Sequence, residues 1–367
     1  MAPTVSNPSM NNQPIAYIHV DNILANLDLA CDKSPGSKTM AVIKANAYGH
    51  GAIKVSQALS DIAPAFGVAC IEEALELRDA GIKQPILLLE GTFEATELKL
   101  AATKGFWVMV ENHQQKEAIL NADLALPLNV WLGVDTGMHR LGFQPGEIAD
   151  IYKTLNSSRN ISQPIVFTSH FACADNLDSH STLKQIQTFK ACAPVTALQS
   201  LANSAAILAW PKAQREWQRP GYMLYGNSPF AVAQENADQL KPVMSFESAV
   251  ISLRTIAAGE SVGYTANWTA ERESTIATIT VGYGDGYPRN AINGTPVLIN
   301  GIRCPLVGRV SMDMITVDVT ALSEVAIGDK AVLWGPELPV NEVASYCDTI
   351  GYELLTRMPE RVPRVYL

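Results

Sequence analysis

Residues 41–52 read AVIKANAYGHGA. Small and branched apolar residues lead straight into Lys44, and Asn46, Tyr48, Gly49, His50 and Gly51 crowd the next turn. A lysine ending a buried strand has one ordinary explanation: its stem lies along the apolar strand while its head reaches water. The other depends on the architecture around it. At the C-terminal end of a barrel strand, where active sites are built, a shielded lysine is a usable amine nucleophile or Schiff-base partner.

The chain on either side of this stretch decides the architecture. TMAVIKA, AFGVA, PILLLE, FWVMV, LNVWLGVD, PIVFTSH, VTALQSLA and, more weakly, REWQRPG read as strands. Amphipathic stretches separate them, among them IEEALELRDAG, TELKLAATKG, KEAILNAD, GEIADIYKTL and LKQIQTFKACA. Several of these close on Gly or Lys-Gly, a helix-stop signal. Strands apolar on both faces, alternating about eight times with helices, indicate a parallel sheet covered by helices. Eight units over roughly 220 residues fit a (β/α)8 TIM barrel, with a doubly wound open sheet as the competing architecture. Beyond about residue 240, AVISLRTI, STIATITV, TPVLING and MITVDVT alternate in strand fashion between Gly and Pro, and one helical stretch lies near NEVASYCDTI. The expected organisation is therefore a barrel over residues 15–238 and a C-terminal mostly β domain over 239–367, the latter a candidate to include residues 1–14.

Bulk properties exclude several classes. The chain's 367 residues exceed one ordinary core and suit two domains. A net charge of −9, with no run of Lys/Arg, argues against a nucleic-acid partner. The six cysteines are scattered without CxxC pairs, which reads as reduced thiols rather than a zinc site or disulfide framework, and no metal is expected. The N-terminus lacks a signal-peptide layout and no apolar run spans a membrane, so the expected location is the cytoplasm.

Other strand ends carry chemistry too. Asp135, His139 and Arg140 come after the fifth strand of the pattern, and His170 after the sixth. Asn203 and Ser204 lie in LANSAA; Arg219, Gly221 and Tyr222 lie in RPGYM. Singly, each has a plain structural role open to it: Ser204 as a helix cap, His170 as a core histidine, Arg219 as an ion-pair partner. Together, a lysine, a histidine, two arginines and a Ser/Gly loop suit an anionic cofactor, with Ser204 and nearby backbone N–H groups available to a phosphate.

In this order, AVIKANAYGHGA, VDTGMHRLGF, SHFACAD, LANSAA, RPGYMLYGNSP, GYTANW, VGYGDGYPR and VGRVSMDMITVDVT resemble the alanine racemases, and the similarity runs from about residue 15 to the final RVPRVYL. The resemblance implies a pyridoxal 5′-phosphate (PLP) enzyme that interconverts L- and D-alanine as a head-to-tail homodimer. It implies that Lys44 holds PLP covalently and that Tyr48, Ser204, Gly221 and Tyr222 surround the phosphate, with Asn203 and Tyr352 also near the cofactor. Arg219 matches the residue facing the pyridine nitrogen, Arg140 the one near the phenolic oxygen, and His170 the one lining the ring. Lys44 and Tyr264, the latter from the partner subunit, match the two bases. Arg140 and Met312 match the substrate-carboxylate site. Asp175, Tyr283, Arg289, Arg309, Ile350 and Tyr352 match the substrate entrance. A permanently charged guanidinium opposite a ring nitrogen does not favour its protonation; that weakens PLP as an electron sink and suits an enzyme that only removes and returns one proton.

One position departs from the resemblance. Many relatives carry a carbamylated lysine where this chain has Gly133, and the missing negative charge implies that a bound anion such as chloride, or a nearby polar side chain, holds Arg140. GYGDGY superficially resembles a dinucleotide loop, but it comes after a strand and opens no helix, so it reads as a turn. A serine or broad-specificity racemase, a decarboxylase of the same architecture and a non-catalytic PLP carrier are the competing readings. Arg219 argues against the decarboxylase and the β domain with Tyr264 and Tyr352 against the carrier.

Overall fold

The first strand, β1 (Ile15–Ile18), does not enter the barrel that its place in the sequence suggests. In the computed structural model, which describes residues 13–367, it pairs parallel with the last strand, Arg364–Tyr366, and antiparallel with Met244–Ile256. The boundary expected at residue 15 is therefore corrected: one unit comprises residues 20–241, and the other residues 242–367 together with 13–19. The physical sign is the strand's period. Ala16 and Ile18 are buried while Ile15 and Tyr17 are half-buried, as suits a strand with one buried face, whereas the barrel strands are apolar on both faces. Of residues 1–14, which were candidates for the β domain, 1–12 lie outside the described residues.

The first unit opens with a helix, Val20–Lys33, and then closes eight parallel strands into a barrel: β2 (Lys38–Val42), β3 (Ala65–Val68), β4 (Ile86–Leu88), β5 (Trp107–Val110), β6 (Leu128–Gly133), β7 (Ile161–Thr168), β8 (Leu198–Ser200) and β9 (Trp217–Gln218). Closure is the β2–β9 pairing, Lys38 with Trp217 and Thr39 with Gln218. Each candidate strand of the sequence contributes one stave. Met40, Ala65, Leu87, Met109, Trp131, Val166 and Trp217 pack in the interior, with Trp107 and Leu198 against them. Trp217 meets Trp107 and Trp131 edge-on, with ring centroids 5.5 and 5.6 Å apart. Indoles on three strands fill the barrel interior, so chemistry is confined to the C-terminal rim.

The second unit is an eight-stranded sheet of β1, β10 (Met244–Ile256), β13 (Ser274–Ile279), β14 (Pro296–Ile299), β15 (Ile302–Pro305), β16 (Ile315–Asp318), β17 (Lys330–Trp334) and β18 (Arg364–Tyr366). A separate two-stranded ribbon, β11 (Ser261–Val262) and β12 (Trp268–Thr269), carries Tyr264 at its tip. Two short helices, Val340–Ser345 and Gly351–Thr356, precede the last strand. Among the described residues, no helix is long and apolar enough to cross a membrane.

Candidate active site

Lys44 stands two residues beyond β2, half-buried at the barrel rim. The turn it opens is not an ordinary helix. Ala45, Asn46, Ala47 and Tyr48 have φ values of 51, 53, 53 and 51°, a complete left-handed turn made without glycine. For L-residues this conformation costs about 1–2 kcal/mol each. Backbone bonds from Ala47 N to Ile43 O (2.9 Å) and Gly49 N to Ala45 O (3.0 Å) close the turn. Glu73 pins its start: one carboxylate oxygen accepts from Ala45 N at 2.6 Å, the other from Ala69 N at 2.7 Å. Asn46 Oδ1 accepts from Ala52 N at 2.7 Å, launching the next helix. The sequence placed Lys44 at the rim but gave no sign of the turn's hand or of Glu73, whose role depends on a helix 28 residues downstream.

The turn buries Tyr48, whose ring stacks on Tyr225 with centroids 4.7 Å apart. Burial pushes its phenol up to about 12, so it acts as a neutral hydrogen-bonding group. Gly221 leaves room for it: a Cβ at 221 would stand 2.7 Å from the Tyr48 hydroxyl oxygen. Ser204 Oγ accepts from Gly221 N (3.0 Å) and Met223 N (3.2 Å), drawing this loop's backbone donors together. Tyr222 is buried in the same loop. Asn203 caps the helix Ser204–Ala209 by accepting from Ala206 N at 3.1 Å, so the cap is Asn203, while the Ser204 hydroxyl serves the neighbouring loop.

Arg219 directly follows β9 and is buried. It donates to Thr168 Oγ1 (2.9 Å), to Ser200 Oγ and to Ser169 O (2.7 Å). Burial lowers its pKa to about 10, partly offset by Glu111, so the guanidinium remains ionised at neutral pH. The loop after β6 is shaped by Asp135, which accepts from Gly137 N and His139 N at 3.0 Å and pairs with His139 Nδ1 at 2.9 Å, presenting Arg140 at the exposed side. Gln185, unmarked in the sequence, donates to Thr136 Oγ1 (3.1 Å) and His170 O (2.9 Å), tying the β6 and β7 loops together. His170 is exposed at the mouth, yet the protein crowded around its ring displaces water and, with repulsion from Arg219, Arg140 and Lys44, pulls its pKa down to about 3. Four of the expected side chains thus share one rim, with cationic charge in excess. Glu111 joins them, directly after β5 and within the field of both arginines. Asp175 lies exposed after β7 in this unit.

The remaining expected residues belong to the β unit. Tyr264 is 70 % exposed, held out by positive φ at Gly263, Thr265 and Ala266. Asn293 stitches its ribbon to the loop before β16, donating to Asn267 O (3.0 Å) and accepting from Gly308 N (2.8 Å), so Tyr264 and Arg309 occupy neighbouring loops. Tyr283 N donates to Ser311 O (3.0 Å) and Gly284 N to Met312 O (2.8 Å), which sets Tyr283 beside Met312. Asn290 Nδ2 donates to Cys347 O, joining the loop with Arg289 to the one that leads to Ile350 and Tyr352. Tyr264, Met312, Ile350 and Tyr283 are all large exposed hydrophobic side chains. In GYGDGY, Asp285 accepts from Gly282 N (2.9 Å) and from Arg361 Nε (2.8 Å), a closed turn as expected. Among the described residues, no group of three or more His, Cys, Asp or Glu could hold a metal ion.

A barrel rim carrying an amine and two guanidinium groups is thus joined in one chain to a β unit with an exposed tyrosine. The family models for the alanine racemase N-terminal and C-terminal domains match residues 18–229 and 243–366. The catabolic alanine racemase of Pseudomonas aeruginosa is 49 % identical over 352 residues, covering 96 % of this chain and 98 % of the relative; the alanine racemase of Vibrio cholerae is 47 % identical, covering 96 and 97 %. Among solved structures, the biosynthetic alanine racemase of P. aeruginosa superposes with a TM-score of 0.94 at 47 % identity, covering 97 and 99 % of the two chains. The alanine racemase of Bartonella henselae, solved with covalently bound pyridoxal phosphate, gives 0.87 at 33 % identity, covering 97 and 99 %. The chain belongs to the alanine racemase family.

Proposed function

We propose that this enzyme interconverts L- and D-alanine using PLP held by Lys44, with Tyr264 of a second copy supplying the opposite face in a head-to-tail homodimer. The observation that carries this reading is the gathering of Lys44, Arg140, His170 and Arg219 at one rim, with His170 made a weak base by desolvation and then by the three cations. A mouth with that excess of positive charge suits an anionic group, and the glycine at 221 lets the Tyr48 hydroxyl stand directly against this loop's backbone. These features fit PLP. Tyr48, Ser204 and the Gly221 and Tyr222 backbone N–H groups would hold its phosphate, Arg219 would face the ring nitrogen, His170 the ring and Arg140 the phenolic oxygen, with Asn203 and Tyr352 nearby. When bound, PLP supplies the electron withdrawal that acidifies an amino acid's α-proton.

The chain's own residues do the rest. The Lys44 amine would take or give the α-proton on one face, and the Tyr264 phenol would do so on the other. Arg219 is donor-only and offers no carboxylate to stabilise a ring proton, so the site favours quick return of the proton over side chemistry. Arg140 and the Met312 backbone would orient the substrate carboxylate. The aromatic and charged side chains Tyr264, Tyr352, Tyr283, Asp175, Arg289 and Arg309, with Ile350, would restrict entry, favouring alanine over serine within the limited power of steric selection. The scattered thiols suit the cytoplasm.

Subunit mixing tests the shared site. Lys44→Ala and Tyr264→Phe homodimers should each be nearly inactive, and a mixed population should regain activity, because a heterodimer holds one intact Lys44–Tyr264 pair. No recovery from demonstrably mixed dimers would overturn the shared-site reading.

A further inference from the structure

Strand register places Glu111, Gly133, Thr168 and Ser200 along one row of the rim, with Arg219 two residues beyond Trp217, the partner of Ser200. Val110 pairs with Leu132, Gly133 with Thr168, and Thr168 with Ser200, while Glu111 and Arg219 come one residue after their strands. Arg219 donates to both hydroxyls of the row. At the other end, Glu111 fills the space over Gly133: a Cβ there would stand 2.8 Å from Glu111 Cγ and 3.1 Å from Oε1. A side chain at 133 would push Glu111 out of its present place, so the glycine is what lets the carboxylate stand there.

The carboxyl is placed for electrostatic work. Its Oε2 is buried and makes no hydrogen bond, an expensive state for a polar atom that is not meant to meet a cation. The charges facing it are Arg140 from the β6 loop, Arg219 after β9 and Glu90 after β4. Arg140 projects from the loop that Asp135 shapes, yet Asp135 spends its oxygens on Gly137, His139 and no arginine.

We infer that Glu111 is the built-in counter-anion of Arg140, a positioning residue whose carboxylate occupies the space freed by Gly133 and makes a bound anion unnecessary there. This inference rests on the racemase reading above, because Arg140 acts on cofactor and substrate. Desolvation raises the Glu111 pKa to about 7, against the pull of the two arginines, so the carboxylate forms as pH rises through neutrality and Arg140 is fully neutralised only above it.

The test compares full-length parent, Glu111→Gln and Gly133→Ala in chloride-free HEPES and with added potassium chloride. Kinetics are read from pH 6 to 9, and melting temperature is read with and without PLP. The parent should show no chloride dependence in either measurement. Glu111→Gln should lose kcat about tenfold, the low end of the loss seen when the outer partner of a metal ligand is removed, lose the activity limb near pH 7, and regain part of its rate and gain melting temperature with chloride. Gly133→Ala, by displacing the carboxylate, should do the same more weakly. A parent activated saturably by chloride would overturn the inference without any variant. So would a Glu111→Gln enzyme with unchanged kinetics, or one that slows with an unshifted pH profile and no chloride response, which would make Glu111 a packing residue. Failure of the parent to racemise alanine at all would count against the racemase reading instead.

Discussion

The left-handed turn after Lys44 makes one residue's preference invert. Ala45 is exposed and has φ 51°, ψ 52°, so its methyl packs little and its backbone carries a penalty of about 1–2 kcal/mol that glycine does not incur. Glycine's extra freedom in the unfolded chain takes back about 0.5–1 kcal/mol. Ala45→Gly should therefore stabilise the barrel by about 0.5–1 kcal/mol. The control is Ala118→Gly, an exposed alanine inside the right-handed helix His113–Asn121, which should cost about 1 kcal/mol. The same chemical change, at two exposed sites of one unit, is expected to have opposite signs. Urea unfolding decides it through the midpoint, with the slope unchanged. An Ala45→Gly protein destabilised as much as Ala118→Gly would refute the left-handed turn and with it this account of how Lys44 is set at the rim.

The same geometry sets other outcomes. Gly221→Ala puts a methyl 2.7 Å from the Tyr48 hydroxyl oxygen, and Tyr48 is held by its stack on Tyr225; overpacking of about 1–3 kcal/mol should appear as weakened PLP binding in a fluorescence titration, and unchanged affinity would show that Tyr48 yields freely. Because the Glu111 pKa is raised to about 7, its contribution to stability is complete below the ordinary glutamate range and is lost as pH rises through about 7; cofactor-free Glu111→Gln should gain on the parent between pH 5 and 8 in urea unfolding, and a constant difference would contradict the buried-carboxyl assignment. Tyr264→Phe should slow racemisation by about 10²–10⁴-fold while one enantiomer still exchanges its α-proton with deuterium through Lys44; equal loss of exchange from both enantiomers would argue against separate bases.

Much of this was legible because each strand of a parallel barrel is apolar on both faces and ends at the same rim. Lys44, His170 and Arg219 could be placed from strand ends alone. β1 escaped the pattern because a four-residue strand with one buried face looks, by composition, like the start of the barrel, and its partners lie some 230–350 residues away along the chain. Glu73 and Gln185 were invisible for a related reason: they work from helices, through hydrogen bonds to loops of other strands. Glu111 had a sign in the sequence, a charged residue immediately after FWVMV. Its significance needed the register that sets it over Gly133. The hand of the turn at Ala45–Tyr48 had none, since alanine is among the least expected residues in that conformation.

The most direct test is a chiral assay of the purified, PLP-supplemented protein given L-alanine and, in parallel, L-serine. Rapid formation of D-alanine, with D-serine formed far more slowly, is the predicted result. A protein that visibly holds PLP and forms no D-alanine would contradict the assignment of Lys44 and Tyr264 as a working pair.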